Sequence, residues 1–215
     1  MKTFSTSGTG GDTLISVLKL YGIKGKKKVR HYTIHENMHP VIKEIYSLLP
    51  NLEVEFVKER DLENPKMESF FARDYDYEPF PDFELEPYPD LPEDYIVVVP
   101  RAGRPNTSPR VLSNKQIGDV INGKNAVFLG SQKLEHEFDV LDLMGKTSML
   151  EAFSIIRGAK HVYTPQGVTA FFALSQKVPT TVYLYNVHDV DGFYVRCAEE
   201  WTGKVVDWTG NVLEI

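Results

Sequence analysis

The sequence predicts an α/β protein of two lobes, each built on a parallel sheet. Three observations carry that reading. Short apolar runs alternate with amphipathic stretches along the chain, the pattern of successive βαβ units. The run Tyr95-Ile96-Val97-Val98-Val99-Pro100 is apolar throughout, as a strand covered on both faces must be. Residues 74–95 hold nine acidic residues, five prolines and six aromatics, with no Lys or Arg. Proline that dense forbids a helix and removes strand donors, so an extended connector is expected, its aromatics laid on a neighbouring surface. The chain therefore divides into an N-terminal lobe over 1–73, a linker over 74–95 and a C-terminal lobe over 96–215. Both lobes are Rossmann-like.

Size and charge narrow the function. A chain of 215 residues makes one large domain or two small ones. Its net charge of −6 argues against a protein that lives on indiscriminate phosphate neutralisation, although a local basic patch remains allowed. The lone cysteine, Cys197, has no internal disulfide partner and cannot build a cysteine-based zinc site. The opening Met1-Lys2-Thr3-Phe4-Ser5 lacks the apolar stretch of about ten residues that marks a secretory leader. No apolar run of about 18 residues occurs either, so a cytoplasmic protein without a membrane span is expected.

In the first lobe, residues 12–21 place Leu14, Ile15, Val17, Leu18 and Leu20 at helical spacing before Gly22, which reads as a mostly buried helix. Residues 29–34 read as a strand, 39–49 as a helix stopped by Pro50, and 52–57 as a strand. In the second lobe strands are expected over 95–100, 125–130, 161–163 and 180–185. Helices are expected over 113–120, 148–157 and 167–175. His31, His35 and His39 recur every four residues, but the segment opens as a strand, which breaks the helical spacing a metal site would need.

Candidate chemistry sits at the junctions. Ser7-Gly8-Thr9-Gly10-Gly11-Asp12-Thr13 leads straight into a helix, and such a loop lets backbone approach a ligand and aims amides at it. It is neither a Walker A loop nor GxGxxG. Asp12 at its mouth is either a helix cap or a general base. Gly145-Lys146-Thr147-Ser148 resembles the tail of a P-loop, but Val140 stands where the first glycine must be, so an ATPase is excluded. What remains there is a loop with a capping box from Ser148 to Glu151. Gly167, Val168 and Thr169 open a helix directly after a strand, where open α/β sheets bind ligands and free amides suit a phosphate. Gly130 and Ser131 lie just beyond another strand end. Arg101, Arg104 and Arg110 follow the apolar strand at its carboxyl end, and guanidinium groups there suit a diphosphate.

With those residues in order, the chain resembles the ADP-heptose:lipopolysaccharide heptosyltransferase family (glycosyltransferase family 9, GT-B fold) in shortened form. The Gly11-Asp12 loop with Leu14 is similar to the family's N-terminal "GD" loop and helix. Leu143-Met144-Gly145-Lys146-Thr147-Ser148, followed by Glu151 and Gly158-Ala159, looks like its "L-x-G-x-T-S-L…A" signature. Gly167 falls at its "D-[ST]-G-x-x-H" donor loop, with Ala173 in the helix and Pro179 before the last strand. Pro100, Gly103 and residues 110–113 sit at its "K-x-W-P" region. The match covers 95–185 well and 1–25 loosely. Pro165 and Ala170 stand where the family has Asp and His, and Arg110 and Leu112 stand for its Lys and Trp.

The resemblance implies a glycosyltransferase that moves a sugar from a nucleotide-diphosphate sugar to an acceptor hydroxyl, without a metal or other cofactor. The leaving diphosphate gains negative charge, so it needs cations and helix amides. Arg104, Arg110, Gly130, Ser131, Lys146, Thr147, Ser148, Gly167, Val168 and Thr169 are the donor-binding candidates. Asp12 would be the catalytic base, with Gly10, Gly11, Lys26, Lys27 and Lys28 on the acceptor side. The basic run over residues 24–31 supports a second reading, in which the acceptor is a modified, hydroxymethylated DNA base rather than a saccharide. The loss of the family's Asp and His supports a third, a nucleotide-sugar binding module without turnover.

Overall fold

The computed structural model describes residues 1–60, 63, 81–103, 110–184 and the backbone of 203–206. Two compact units divide between Glu84 and Leu85, within the proline-rich acidic segment.

The unit Met1–Glu84 is a three-stranded parallel sheet in the order β1 (Lys2–Ser7), β2 (Lys27–Tyr32), β3 (Leu52–Val57). Helix α1 (Gly10–Tyr21) joins the first two strands and α2 (His39–Tyr46) the second pair. Leu14, Val17, Leu18 and Leu20 of α1 are fully buried, as are Ile42 and Ile45 of α2, and the two helices pack on each other. The strand pleat sorts β2 cleanly. Lys27, Val29 and His31 are buried, while Lys28, Arg30 and Tyr32 are only half so. Strand β1 has no apolar signature: of Lys-Thr-Phe-Ser-Thr-Ser only Phe4 is hydrophobic, yet Ser5 and Thr6 are buried. Register with β2 makes it a strand, a pairing that its own residues do not announce.

The connector packs partly on this unit. Residues 81–95 contain no regular helix or strand, and Phe83, buried, meets Tyr21 edge to face at 5.6 Å. Residues 74–80 of the expected linker fall outside the described residues.

The unit Leu85–Ile215 is built on six parallel strands: β4 (Ile96–Val98), β7 (Ala126–Phe128), β8 (Leu141–Asp142), β9 (His161–Pro165), β10 (Thr180–Tyr183) and β11 (Gly203–Val206). A short antiparallel hairpin, β5 (Arg101–Ala102) with β6 (Arg110–Val111), leaves the end of β4. Helices α3 (Asn114–Ile121), α4 (Met149–Arg157) and α5 (Val168–Ser175) complete it. Ile96 and Val98 point to one face, with Leu112, Ile117, Ala126 and Phe128. Val97 points to the other and pairs with Val127 and Val162. α4 and α5 lock together through Phe153 and Phe172, stacked at 3.9 Å. Burial on both faces is what makes β4 a continuous apolar run.

The spatial order is β11-β10-β9-β4-β7-β8. Starting from β4, the chain builds outward through β7 to β8, then returns to the other side of β4 and builds outward again. The reversal falls between β4 and β9. In open parallel sheets that is the crevice where ligands bind, outside the carboxyl ends of the two strands.

Candidate functional site

Two loops meet at this reversal. From β4, Val99 donates to the Tyr163 carbonyl at 2.8 Å, and the hairpin then rises from the strand end. From β9, Gln166 donates to the Tyr183 carbonyl at 3.1 Å and Gly167 opens α5. Arg110 Nη1 reaches across and donates to the Gln166 carbonyl at 2.5 Å. A side chain on Gly167 would meet Ala102 Cβ at 3.6 Å, so hairpin and junction are in van der Waals range. Arg110 is thus brought beside Gly167, Val168 and Thr169. Arg104 lies outside the described residues.

The start of α5 has no side-chain cap, because its capping residue is Gly167. First-turn amides of a helix have no partner within it, so those of Val168 and Thr169 are open to a ligand. Thr169 Oγ1 lies 2.9 Å from the buried Thr164 Oγ1, which turns that side chain towards the strand. α4 differs. Ser148 Oγ accepts from Glu151 N at 3.2 Å while Ser148 N donates to Glu151 Oε2 at 2.7 Å, a complete capping box. The α4 terminus already holds its own carboxylate.

Gly130, Ser131, Lys146 and Thr147 form a second cluster on the same carboxyl edge. Gly145, at φ +69°, donates to the Gly130 carbonyl at 2.7 Å and brings the β8–α4 turn against the end of β7. A side chain on Gly145 would stand 3.9 Å from the Ser131 carbonyl. Lys146 Nζ bends back to the Asp142 carbonyl at 2.6 Å, and Asp142 Oδ1 accepts from Met144 N at 2.9 Å. The predicted donor residues other than Arg104 therefore line one edge across four adjacent strands, about 14 Å at the usual strand spacing.

In the first unit, residues 8–12 cross the carboxyl ends of β1 and β2. Gly8, at φ +107°, donates to the Tyr32 carbonyl at 3.1 Å. Asp12 Oδ2 accepts from Thr9 N at 2.8 Å. Gly10 and Gly11 form the first helical turn and carry no side chains over their amides. Asp12 is half-buried, and its carboxylate lies against Gly8 Cα. The arrangement caps the helix and also holds the carboxylate at the mouth of the turn.

The basic run lies elsewhere. Lys26, Lys27 and Lys28 enter β2 at its amino end, whereas the glycine turn lies at the carboxyl end, about 16 Å away along the strand. Lys27 Nζ donates to the Ile23 carbonyl at 2.5 Å, and burial pushes its amine below the usual lysine range. Lys28 Nζ lies 3.0 Å from Glu55 and 3.1 Å from Glu53, whose hydrogen bonds push its amine above that range. Arg30 Nε lies 3.6 Å from Glu55. Pairing with β3 matches Lys28 to Glu53 and Arg30 to Glu55, so strand register places these charges side by side.

Two features of the structure had no sequence signal. The Gln166 carbonyl is a backbone group that any residue would carry. His31 was visible as a histidine, but only its alternation with Lys27 and Val29 in a strand puts it on the buried face.

Comparison with family models and with curated proteins yields no match. Solved structures do match. The glycosyl transferase family 9 protein of Veillonella parvula DSM 2008 is 11% identical, over 96% of this chain and 86% of that one, with a TM-score of 0.59. The dodecameric iron-containing heptosyltransferase TibC, solved in complex with ADP-D-β-D-heptose, is 11% identical over 90% of this chain, with a TM-score of 0.56. A second TibC structure, from enterotoxigenic E. coli H10407, is 10% identical over 86% of this chain, with a TM-score of 0.55. This chain spans 60% and 58% of those two TibC chains. At such identity the likeness is one of fold.

Proposed function

We propose that this chain is a glycosyltransferase that moves a sugar from a nucleotide-diphosphate sugar to an acceptor hydroxyl, without a metal. One observation carries the reading. At the reversal of a doubly wound parallel sheet, an uncapped helix N-terminus and an arginine converge on one crevice. The fold shared with heptosyltransferases, one of them solved with ADP-heptose, supports it.

In this mechanism the diphosphate lies on the carboxyl edge of β9, β4, β7 and β8. The amides of Val168 and Thr169 and the Arg110 guanidinium take up the charge that develops as the anomeric bond breaks, which lowers the barrier because those groups are already oriented. Gly130, Ser131, Lys146, Thr147 and Ser148 would line the remainder. Asp12 accepts the acceptor hydroxyl proton through whichever carboxylate oxygen the Thr9 amide leaves open. Lys28 and Arg30 are paired with acidic residues, so we carry a saccharide rather than DNA as the acceptor.

The test pairs turnover with binding. A panel of nucleotide-diphosphate sugars is screened for release of nucleoside diphosphate, and calorimetry measures donor affinity in wild type and Asp12→Asn. Asparagine keeps an oxygen for Thr9 N but is no base. The variant should bind donor as wild type does while turnover falls about 10²–10⁴-fold. Donor binding without consumption in wild type would make the chain a binding module. No binding at all would refute the site.

A further inference from the structure

Between β7 and β8 the chain runs extended, and from Lys133 to Val140 exposed and half-buried residues alternate. Leu134, Phe138 and Val140 pack on the core of the second unit, and His136 stands among them where the alternation expects an apolar side chain. Its ring lies 4.9 Å from Phe128, tilted, and 6.0 Å from Phe138, stacked. Withdrawing a polar group from water costs free energy unless a partner offsets it. Nδ1 is buried and has no hydrogen-bond partner among the described residues. Nε2 stands 3.6 Å from Asp142 Oδ2, with the two side chains only 13% and 18% exposed. Asp142 is therefore the polar group that accounts for a histidine at this place.

Asp142 ends β8 in register with Phe128 and organises the turn that follows. Its Oδ1 accepts from Met144 N at 2.9 Å, and its carbonyl accepts from Lys146 Nζ at 2.6 Å. Lys146 N donates to the Leu143 carbonyl at 3.1 Å, and Gly145 N to the Gly130 carbonyl at 2.7 Å. One carboxylate oxygen thus shapes the turn while the other faces the imidazole. At 3.6 Å that contact is electrostatic rather than a hydrogen bond. A carboxylate only accepts, so it favours the ring forms with a proton on Nε2, the Nε2–H tautomer and the imidazolium alike. Both attract it, and the shielding of the pair strengthens the attraction.

We propose that Asp142 is a positioning residue of the donor edge, held in place by His136, and that the pair fixes residues 143–147 where a nucleotide diphosphate lies. The inference rests on the reading of this edge as the donor's seat. Neither side chain need touch the donor; both act through the backbone of the turn. Met144 anchors that turn in the core. Gly145, at φ +69°, is the point where it can flex. The bond from Met144 N to Asp142 spans the residues between strand end and glycine. His136 has a second effect. A lone carboxylate on this edge repels a diphosphate, and a ring proton facing it offsets that repulsion.

The experiment uses the full chain, with ADP, GDP, UDP and CDP as probes. Asp142→Ala removes the bond to Met144 and the partner of His136. His136→Phe keeps a ring between Phe128 and Phe138 but has no proton to present, and His136→Gln keeps a donor. In Asp142→Ala, amide hydrogen exchange over residues 143–147 should quicken about tenfold or more, with residues 166–170 near wild type. The dissociation constant of the nucleotide that wild type binds should rise about tenfold. His136→Phe should weaken binding about threefold or more alone and add little in the Asp142→Ala background, while His136→Gln stays within about twofold of wild type. Unchanged exchange of the turn in a folded Asp142→Ala overturns the proposal whatever the affinity. A loosened turn with unchanged affinity overturns the link to the donor, and additive losses overturn the pairing with His136. A turn that loosens in a chain whose wild type binds none of the four nucleotides supports the bracing and defeats the donor reading instead. Should Asp142→Ala fail to fold, Asp142→Asn keeps an oxygen for Met144 N but loses the charge facing His136, and affinity should fall about threefold; wild-type affinity there overturns the proposal.

Discussion

The carboxylate of Asp12 fills the space that a side chain on Gly8 would need. A Cβ built on Gly8 overlaps Asp12 Oδ2, Cγ and Cβ, and Gly8 holds φ +107°, where L side chains are strained. Two separate effects thus require glycine there. Gly8→Ala should destabilise the protein by about 1–3 kcal/mol and displace the carboxylate. Urea unfolding checks the first part and turnover the second. An unchanged midpoint would show that the turn relaxes freely.

Arg110 is tied to backbone before any ligand arrives. Its Nη1 is bonded to the Gln166 carbonyl, one residue before Gly167. Arg110→Ala should weaken nucleoside-diphosphate binding by about 1.5–3 kcal/mol, as expected for a lost charged hydrogen bond together with a loosened junction. Titration calorimetry reads this directly. Unchanged affinity would remove Arg110 from the donor site.

Acid should loosen the first unit through His31. Its folded pKa of about 4 lies below the 6.5 of the unfolded chain, so the unfolded state binds the proton first as pH falls. Stability is full above about pH 6.5, declines through the window down to about 4, and is then level; the loss totals about 3 kcal/mol at about 1.4 kcal/mol per pH step. The groups around the ring are Thr6 on β1, Tyr46 and His39 on α2, and Phe56 on β3, and of these the charge of His39 also lowers the pKa. Urea denaturation at several pH values should show that decline in wild type and a flatter profile in His31→Gln. Parallel profiles would refute it.

Tyr95 and Gly158 form a lock in the second unit. Tyr95 OH donates to the Ile155 carbonyl at 2.6 Å, and a Cβ on Gly158 would sit 2.6 Å from that hydroxyl. Burial pushes the Tyr95 phenol up to about 12, so it stays a donor at any ordinary pH. Gly158→Ala should cost about 1–3 kcal/mol in wild type and clearly less in a Tyr95→Phe background, where the obstructing oxygen is gone. A double-mutant cycle on unfolding free energy gives the coupling; additivity would mean the helix end simply shifts.

Most helices and strands were legible because their signals are local. α1, α4 and α5 follow from apolar spacing with Gly22, Ser148 and Gly167 at their ends. β4 and β7 follow from uninterrupted apolar runs. β1 was not legible, since its buried Ser5 and Thr6 look like surface residues until β2 lies beside them. The two-residue strands β5, β6 and β8 are too short to leave a period.

The same division runs through the candidate site. By itself the sequence determined the α/β class, the glycine turn before Asp12 and the strand-to-helix junction at Gly167, because each is written in consecutive residues. Only the tertiary structure decided that β4 and β9 are neighbours, that Arg110 reaches Gln166, and that His31 meets Thr6. It also decided that Lys28 and Arg30 face Glu53 and Glu55 at the amino half of the sheet. Those are choices of partner between residues 25 to 65 positions apart, made by strand order and register. Strand order and register follow from how all the apolar faces are buried together, which no single stretch of sequence contains.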